Sequence, residues 1–130
     1  MAVLAALAAS AMLALGTWYQ AAGDGSTSLR ITVWPQGTPG PSSQRTLDCD
    51  PAAGTLVRPA RACRRLASLD KPFARTPPNT ACTQIYGGPQ VALVAGTYRG
   101  ARVWTRFHRR NGCEIARWAR LIFLFSPAKT

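Results

Sequence analysis

The sequence predicts a single α+β domain, a small antiparallel sheet covered by one or two short helices. Three observations lead there. Several segments alternate apolar and polar residues with the period of a half-buried strand. One segment places apolar residues at helical spacing instead. The 130-residue chain, 47% hydrophobic, has material for one core, and neither an internal repeat nor a long low-complexity stretch suggests a second.

In chain order, Ala2 to Leu15 is an almost unbroken run of Ala, Leu, Val and Met, too short to cross a bilayer comfortably. It reads as the apolar part of a secretory signal, with Gly16 or Ala21-Ala22 as cleavage points, and lacks the usual preceding Lys or Arg. Residues 1–22 are therefore assigned to a signal peptide and flexible arm, and residues 28–126 to the domain. A first strand has Leu29, Ile31 and Val33 alternating with Arg30, Thr32 and Trp34, and the Pro- and Gly-rich stretch 35–41 ends it. A second strand runs from Gln44 to Cys49 with Leu47 and Cys49 facing in, and Asp50-Pro51 stops it. Between Pro59 and Leu69 the period changes. Proline suits a first helical turn, Ala62, Cys63, Leu66 and Ala67 form an inner face, and Arg61, Arg64, Arg65 and Ser68 an outer one.

Asp70 to Pro78 has no periodicity, and Phe73 is expected to plug the space beneath the loop that follows. Val91 to Gly96, a turn at Arg99-Gly100 and Ala101 to His108 form the strongest hairpin signal, which places Trp104 and His108 on the second sheet face. Glu114 to Trp118 reads as one or two helical turns, Leu121 to Phe125 as a last strand and Ser126 to Thr130 as a polar tail.

Composition excludes several functions. Sixteen Lys and Arg against five Asp and Glu give a net charge of +11 and a pI near 11.1. The arginines are scattered along the chain in no nucleic-acid motif, so a solvated basic surface is the reading and no nucleic-acid partner is expected. Four cysteines behind a secretory segment indicate an oxidising compartment and two disulfides, for which the sequence leaves three pairings open. No two cysteines lie at zinc-ligand spacing and His108 is the only histidine, so neither metal nor cofactor is expected. Glu114 is the only glutamate and no nucleophile-base arrangement stands out, which argues against an enzyme.

One stretch is neither strand nor helix. Ala81-Cys82-Thr83-Gln84-Ile85-Tyr86-Gly87-Gly88-Pro89 lies between the breakers Pro77-Pro78-Asn79 and its own Gly-Gly-Pro, and so should stand off the body as an exposed loop anchored at Cys82. With Cys49, Cys63, Cys82 and Cys113 in this order, Cys-Thr-Gln-Ile-Tyr after the third and Asn-Gly-Cys-Glu around the fourth, the chain resembles the Streptomyces subtilisin inhibitor family from about Leu29 to Phe125.

The resemblance implies a five-stranded antiparallel sheet with two helices. It also implies Cys49 paired with Cys63 and Cys82 with Cys113, which is the pairing of nearest neighbours too. It makes Gln84, two residues after the third cysteine, the residue that enters a serine protease's primary pocket, with the reactive bond joining Gln84 to Ile85. Ala81, Cys82 and Thr83 would line the enzyme's edge, Tyr86 would pack back on the body, and Gly87 would begin the return. Asn111 matches an asparagine that braces the loop base. Departures are Thr83, where the family often has proline, and Gln84, an amide where subtilisin-type pockets favour large apolar side chains, so weaker subtilisin inhibition or another target is expected.

The expected function is thus a secreted, extracellular, substrate-like inhibitor of a subtilisin-like serine protease. A homodimer is expected too, with Leu121 to Phe125 and the tryptophans partly in its interface, and no membrane contact once the signal is removed. A non-inhibitory secreted interaction protein, or a transglutaminase substrate on the same fold, is the alternative, and a binder of anionic polymers a third reading.

Overall fold

A computed structural model describes residues 25–126, so the expected signal and arm at 1–22 and the end of the polar tail lie outside the described residues. The elements are β1 (Thr27–Trp34), β2 (Ser43–Cys49), α1 (Pro59–Ser68), β3 (Val91–Tyr98), β4 (Ala101–His108), α2 (Gly112–Arg120) and α3 (Ile122–Phe125). All strand pairs are antiparallel, in the order β2-β1-β3-β4.

The register explains why one face is apolar. Leu29 pairs with Leu47, Ile31 with Val94 and Val94 with Thr105, and Val33 with Ala92 and Ala92 with Phe107, so period-two alternation in each strand delivers its apolar residues to the same side. The three helices cover that side, α1 along β2, α2 along β4 and α3 at β1. Ala62 and Leu66 from α1, Trp118 from α2 and Leu124 and Phe125 from α3 complete the core with the sheet residues and Leu121. Phe125 stacks at an angle on Phe107 and Trp118, with ring centroids 5.2 and 4.6 Å apart. Arg45 reaches under the sheet to donate to the carbonyls of Leu124 and Ser126 at the C-terminal end of α3, where a cation opposes the helix dipole.

Four expectations need correction. The sheet has four strands and the helices number three, because Leu121–Phe125 is not a strand: Leu121 closes α2 and the next four residues form one helical turn. A short unbroken apolar run buries equally well in either conformation, and here it follows a helix directly, with no chain left over to turn back into the sheet. Leu121, Leu124 and Phe125 fill the protomer's own core and are not available to an interface. On α1 the inner stripe is narrower than expected, since Ala67 is exposed while Ala62 and Leu66 are buried. Phe73 does not lie under the loop; its ring meets Tyr98 edge-on at 5.2 Å, at the opposite end of β3 from Val91, where the loop returns.

Cys49 and Cys63 are disulfide-bonded across a Cα separation of 5.8 Å and staple α1 to the end of β2. Cys82 and Cys113 form the second bridge, across 5.4 Å. Among the described residues no helix is long and apolar enough to cross a membrane.

Candidate functional site

The segment from Ala81 to Pro89 has no regular secondary structure. It is entered through a tight turn in which the backbone N–H and hydroxyl of Thr80 both donate to Pro77 O, at 3.3 and 2.6 Å, with Asn79 at φ 67°. Asparagine tolerates that left-handed conformation better than most residues. Beyond it Ala81, Thr83, Gln84, Ile85 and Tyr86 are exposed, Ile85 by 59% and Tyr86 by 66%, while Cys82 and Gly87 are half-buried. The exposure of Tyr86 corrects the expectation that it packs back on the body. The glycine step that follows it, not its ring, makes the return contact.

Three ties hold this segment, and all lead to the short run 109–113, the link from β4 and the first two residues of α2. The disulfide joins Cys82 to Cys113. The N–H of Gly112 donates to Thr83 O at 2.9 Å, and the N–H of Gly87 donates to Arg109 O at 2.6 Å. Gln84, Ile85 and Tyr86 lie between these anchors, and of them Gln84 makes one long contact, from its amide to Cys82 O at 3.4 Å. Both flanks of an exposed tripeptide are thus fixed to the same support.

The support is built by local sequence. After β4 ends at His108, the N–H of Arg110 donates to His108 Nδ1 at 3.1 Å and the chain turns. Asn111 is extended and caps α2, its Oδ1 accepting from the N–H of Glu114 at 3.0 Å, in the manner of a short polar side chain at a helix start. Asn111 therefore shapes the support, and the bond into the loop comes from its neighbour Gly112. Two glycines allow close approach. A Cβ on Gly112 would collide with the hydroxyl of Thr83, and one on Gly87 would lie 2.8 Å from Ile115 Cγ1 and 3.1 Å from Arg109 O.

A buried polar cluster lies below. Glu114 is only 8% exposed; its carboxylate is 2.6 Å from Arg117 Nη1 and accepts from the Thr76 hydroxyl at 2.9 Å. Arg117 in turn donates from Nε to Ala74 O at 3.1 Å and lies over the Phe107 ring at 4.4 Å. The strand of chain that leads into the loop, 74–76, is thereby held against α2. His108 Nε2 lies 4.0 Å from the Glu114 carboxylate. Burial lowers the His108 pKa from its ordinary 6.5, and Arg110, Arg117 and Arg106 push the same way against the opposing pull of Glu114. A neutral ring near pH 7 leaves Nδ1 free to accept from Arg110, as observed.

Gln84, Ile85, Cys82 and Asn111 were named from sequence. Arg109, Gly112, Ile115, Glu114, Arg117 and Thr76 were not. Only Asn111-Gly112 carried a local signal, a turn dipeptide whose helix-capping role depends on the chain beyond it. No cluster of three or more His, Cys, Asp or Glu among the described residues could hold a metal ion.

The family model described as subtilisin inhibitor-like matches residues 25–111. Among solved structures, the chain is similar to Streptomyces caespitosus sermetstatin, crystallised in complex with Bacillus licheniformis subtilisin, with 27% sequence identity over 77% of this chain and 96% of that one, and a TM-score of 0.49. No curated protein matches the chain with significance.

Proposed function

This chain belongs to the subtilisin inhibitor-like family, a family of protease inhibitors and not of enzymes, and from that membership we propose that it is a substrate-like inhibitor of serine endopeptidases, subtilisin-type first, with Gln84 to Ile85 as its reactive bond. One observation carries the assignment of the loop. The exposed tripeptide Gln84-Ile85-Tyr86 is clamped on both sides by a single rigid run, through a disulfide and two backbone hydrogen bonds.

A serine protease binds a substrate by pairing with its backbone and filling a primary pocket with one side chain, then attacks the carbonyl that follows. Here Ala81, Cys82 and Thr83 offer backbone to the enzyme's edge, Gln84 fills the pocket and its carbonyl receives the attack. Because both flanks are already fixed, docking costs little loop entropy. If the bond is cut, Thr83 stays tied to Gly112 and Gly87 to Arg109, so the new amine stays near the acyl carbon and religation competes with release. Complexes of this class bury about 1,600 Å² in total.

Secretion, with removal of a signal segment within residues 1–22, belongs to the same reading. So does pairing of two copies through the uncovered sheet face, which carries Trp104, 59% exposed, and half-buried Leu93 and Trp34. Sedimentation of wild type and Trp104→Ser tests the pairing, and equal monomer mass for both refutes it.

Titration of the purified protein into a panel of serine proteases, with mass mapping of any cut bond, tests the function. Stoichiometric loss of subtilisin-like activity with slow cleavage between Gln84 and Ile85 is expected. No inhibition of any protease would leave the interaction-protein or transglutaminase-substrate reading, and inhibition with cleavage elsewhere would move the reactive bond.

A further inference from the structure

Four arginines that look scattered in the sequence converge in the fold. Arg58, Arg61, Arg64 and Arg65 line a groove of about 1060 Å³ between α1 and α3, and none of them has a side-chain hydrogen bond or ion pair among the described residues. No Asp or Glu lines the groove. Exposed apolar side chains lie among these cations: Val57, 53% exposed, and Ile122, 46% exposed, both face it.

The arrangement is electrostatically unfavourable for the chain alone. Arg58 occupies the N-cap of α1 in a left-handed conformation (φ 53°) with no capping bond, and the first turn holds no acidic residue. Arg58 and Arg61 add to the positive end of the helix dipole, and the four like charges around the groove repel one another. Backbone strain in a non-glycine residue and unpaired like charges around one concavity are together the pattern of a surface that is complementary to something else.

We propose that this groove docks an acidic, apolar-anchored peptide segment of a partner protein. Charge complementarity requires an anion, and Val57 and Ile122 require that the same ligand carry apolar side chains. A hydrated polyanion would leave those two side chains facing water or phosphate. A flat anionic membrane would meet the arginine rim without reaching into a concave site. An extended or helical peptide that alternates Asp or Glu with Leu or Phe satisfies both conditions at once. The groove lies on the β2 side of the sheet, and the loop rests on the run from the end of β4 into the start of α2, so both sites can be filled together.

The test is fluorescence anisotropy with a labelled eight-residue peptide alternating Glu with Leu and Phe, set against an all-Glu peptide and a neutral Gln-for-Glu peptide of the same length. The alternating peptide should bind at least about tenfold more tightly than either control, and more weakly as salt rises. R61S/R65S and Ile122→Ser should each weaken it about tenfold or more, while R30S/R102S, with the same loss of net charge on the other sheet face, should leave it unchanged. All three variants change exposed side chains, and unaltered near-UV circular dichroism shows that each is folded. Equal binding of the all-Glu peptide, equal effects of the two arginine pairs, or preferential binding to phosphatidylglycerol vesicles would overturn the proposal. Protease inhibition should be the same with and without the peptide, so the groove and the loop succeed or fail separately.

Discussion

Removing the disulfide beneath the loop should do two separable things. The Cys82–Cys113 bridge closes a sequence separation of 31 and the Cys49–Cys63 bridge one of 14. The chain-entropy treatment gives losses of about 3.7 and about 3.0 kcal/mol for C82S/C113S and C49S/C63S. Global stability therefore falls by similar amounts in the two variants, yet only the first releases the loop. The two backbone bonds that remain, each worth about 0.5–1.5 kcal/mol net, hold the flanks less firmly. If Cys82 and Thr83 regain backbone freedom, ordering them again on docking costs about 2–4 kcal/mol. At about 1.4 kcal/mol per decade, that is a rise of about 30- to 700-fold in the inhibition constant. Progress curves with subtilisin measure that constant, urea unfolding measures stability, and both are run where circular dichroism shows the variants folded. C82S/C113S should lose affinity and be cut faster, while C49S/C63S inhibits like wild type. Equal weakening in both variants, or none in either, refutes the clamp as the source of affinity.

Other consequences are simpler to state. Gln84→Met replaces a buried amide by an apolar side chain in the enzyme's pocket and should tighten subtilisin binding by about 10- to 100-fold in a stoichiometric titration; unchanged affinity removes Gln84 from the pocket. Glu114→Ala leaves the Arg117 guanidinium, whose side chain is 13% exposed, without its carboxylate, and should cost about 3–5 kcal/mol in urea unfolding, with a smaller loss for Glu114→Gln. The His108 pKa is lower in the folded protein than its ordinary 6.5, so below that pH the unfolded chain binds more protons. Stability present above 6.5 is thus lost as pH falls through the folded pKa, and His108→Gln should flatten that part of a pH series of urea midpoints.

The sheet was legible because each strand repeats with period two and ends at a Pro- or Gly-containing stop, signals that need no knowledge of the rest of the chain. Leu121–Phe125 was not, because an apolar run without alternation is silent about its backbone. The loop was legible at its crown, where breakers and a cysteine bracket Thr83 to Tyr86. Its support was hidden, since Gly112 and Arg109 contribute backbone atoms that any residue possesses, and only the fold brings them to Thr83 and Gly87. Ile115 was hidden for a related reason. An isoleucine on a helix reads as core, and only the missing Cβ of Gly87 opposite it shows that it also sets the height of the loop.

The distribution of charge sharpens this point. Sixteen basic residues share five acidic ones, and among the described residues the one carboxylate-guanidinium pair is Glu114 with Arg117. An exposed pair would contribute little to stability, but this one is largely buried, so removing either partner strands the other. The pair lies under the loop, with a third partner in Thr76, where a buried and hydrogen-bonded pair fixes geometry and a wrong arrangement is costly. The arginines of α1, by contrast, have no carboxylate partner among the described residues. Pairing is used where the protein must hold its own shape and withheld where a partner can supply the opposite charge. Glu114→Gln should therefore raise the inhibition constant and leave peptide binding at the groove intact, whereas R61S/R65S should do the reverse.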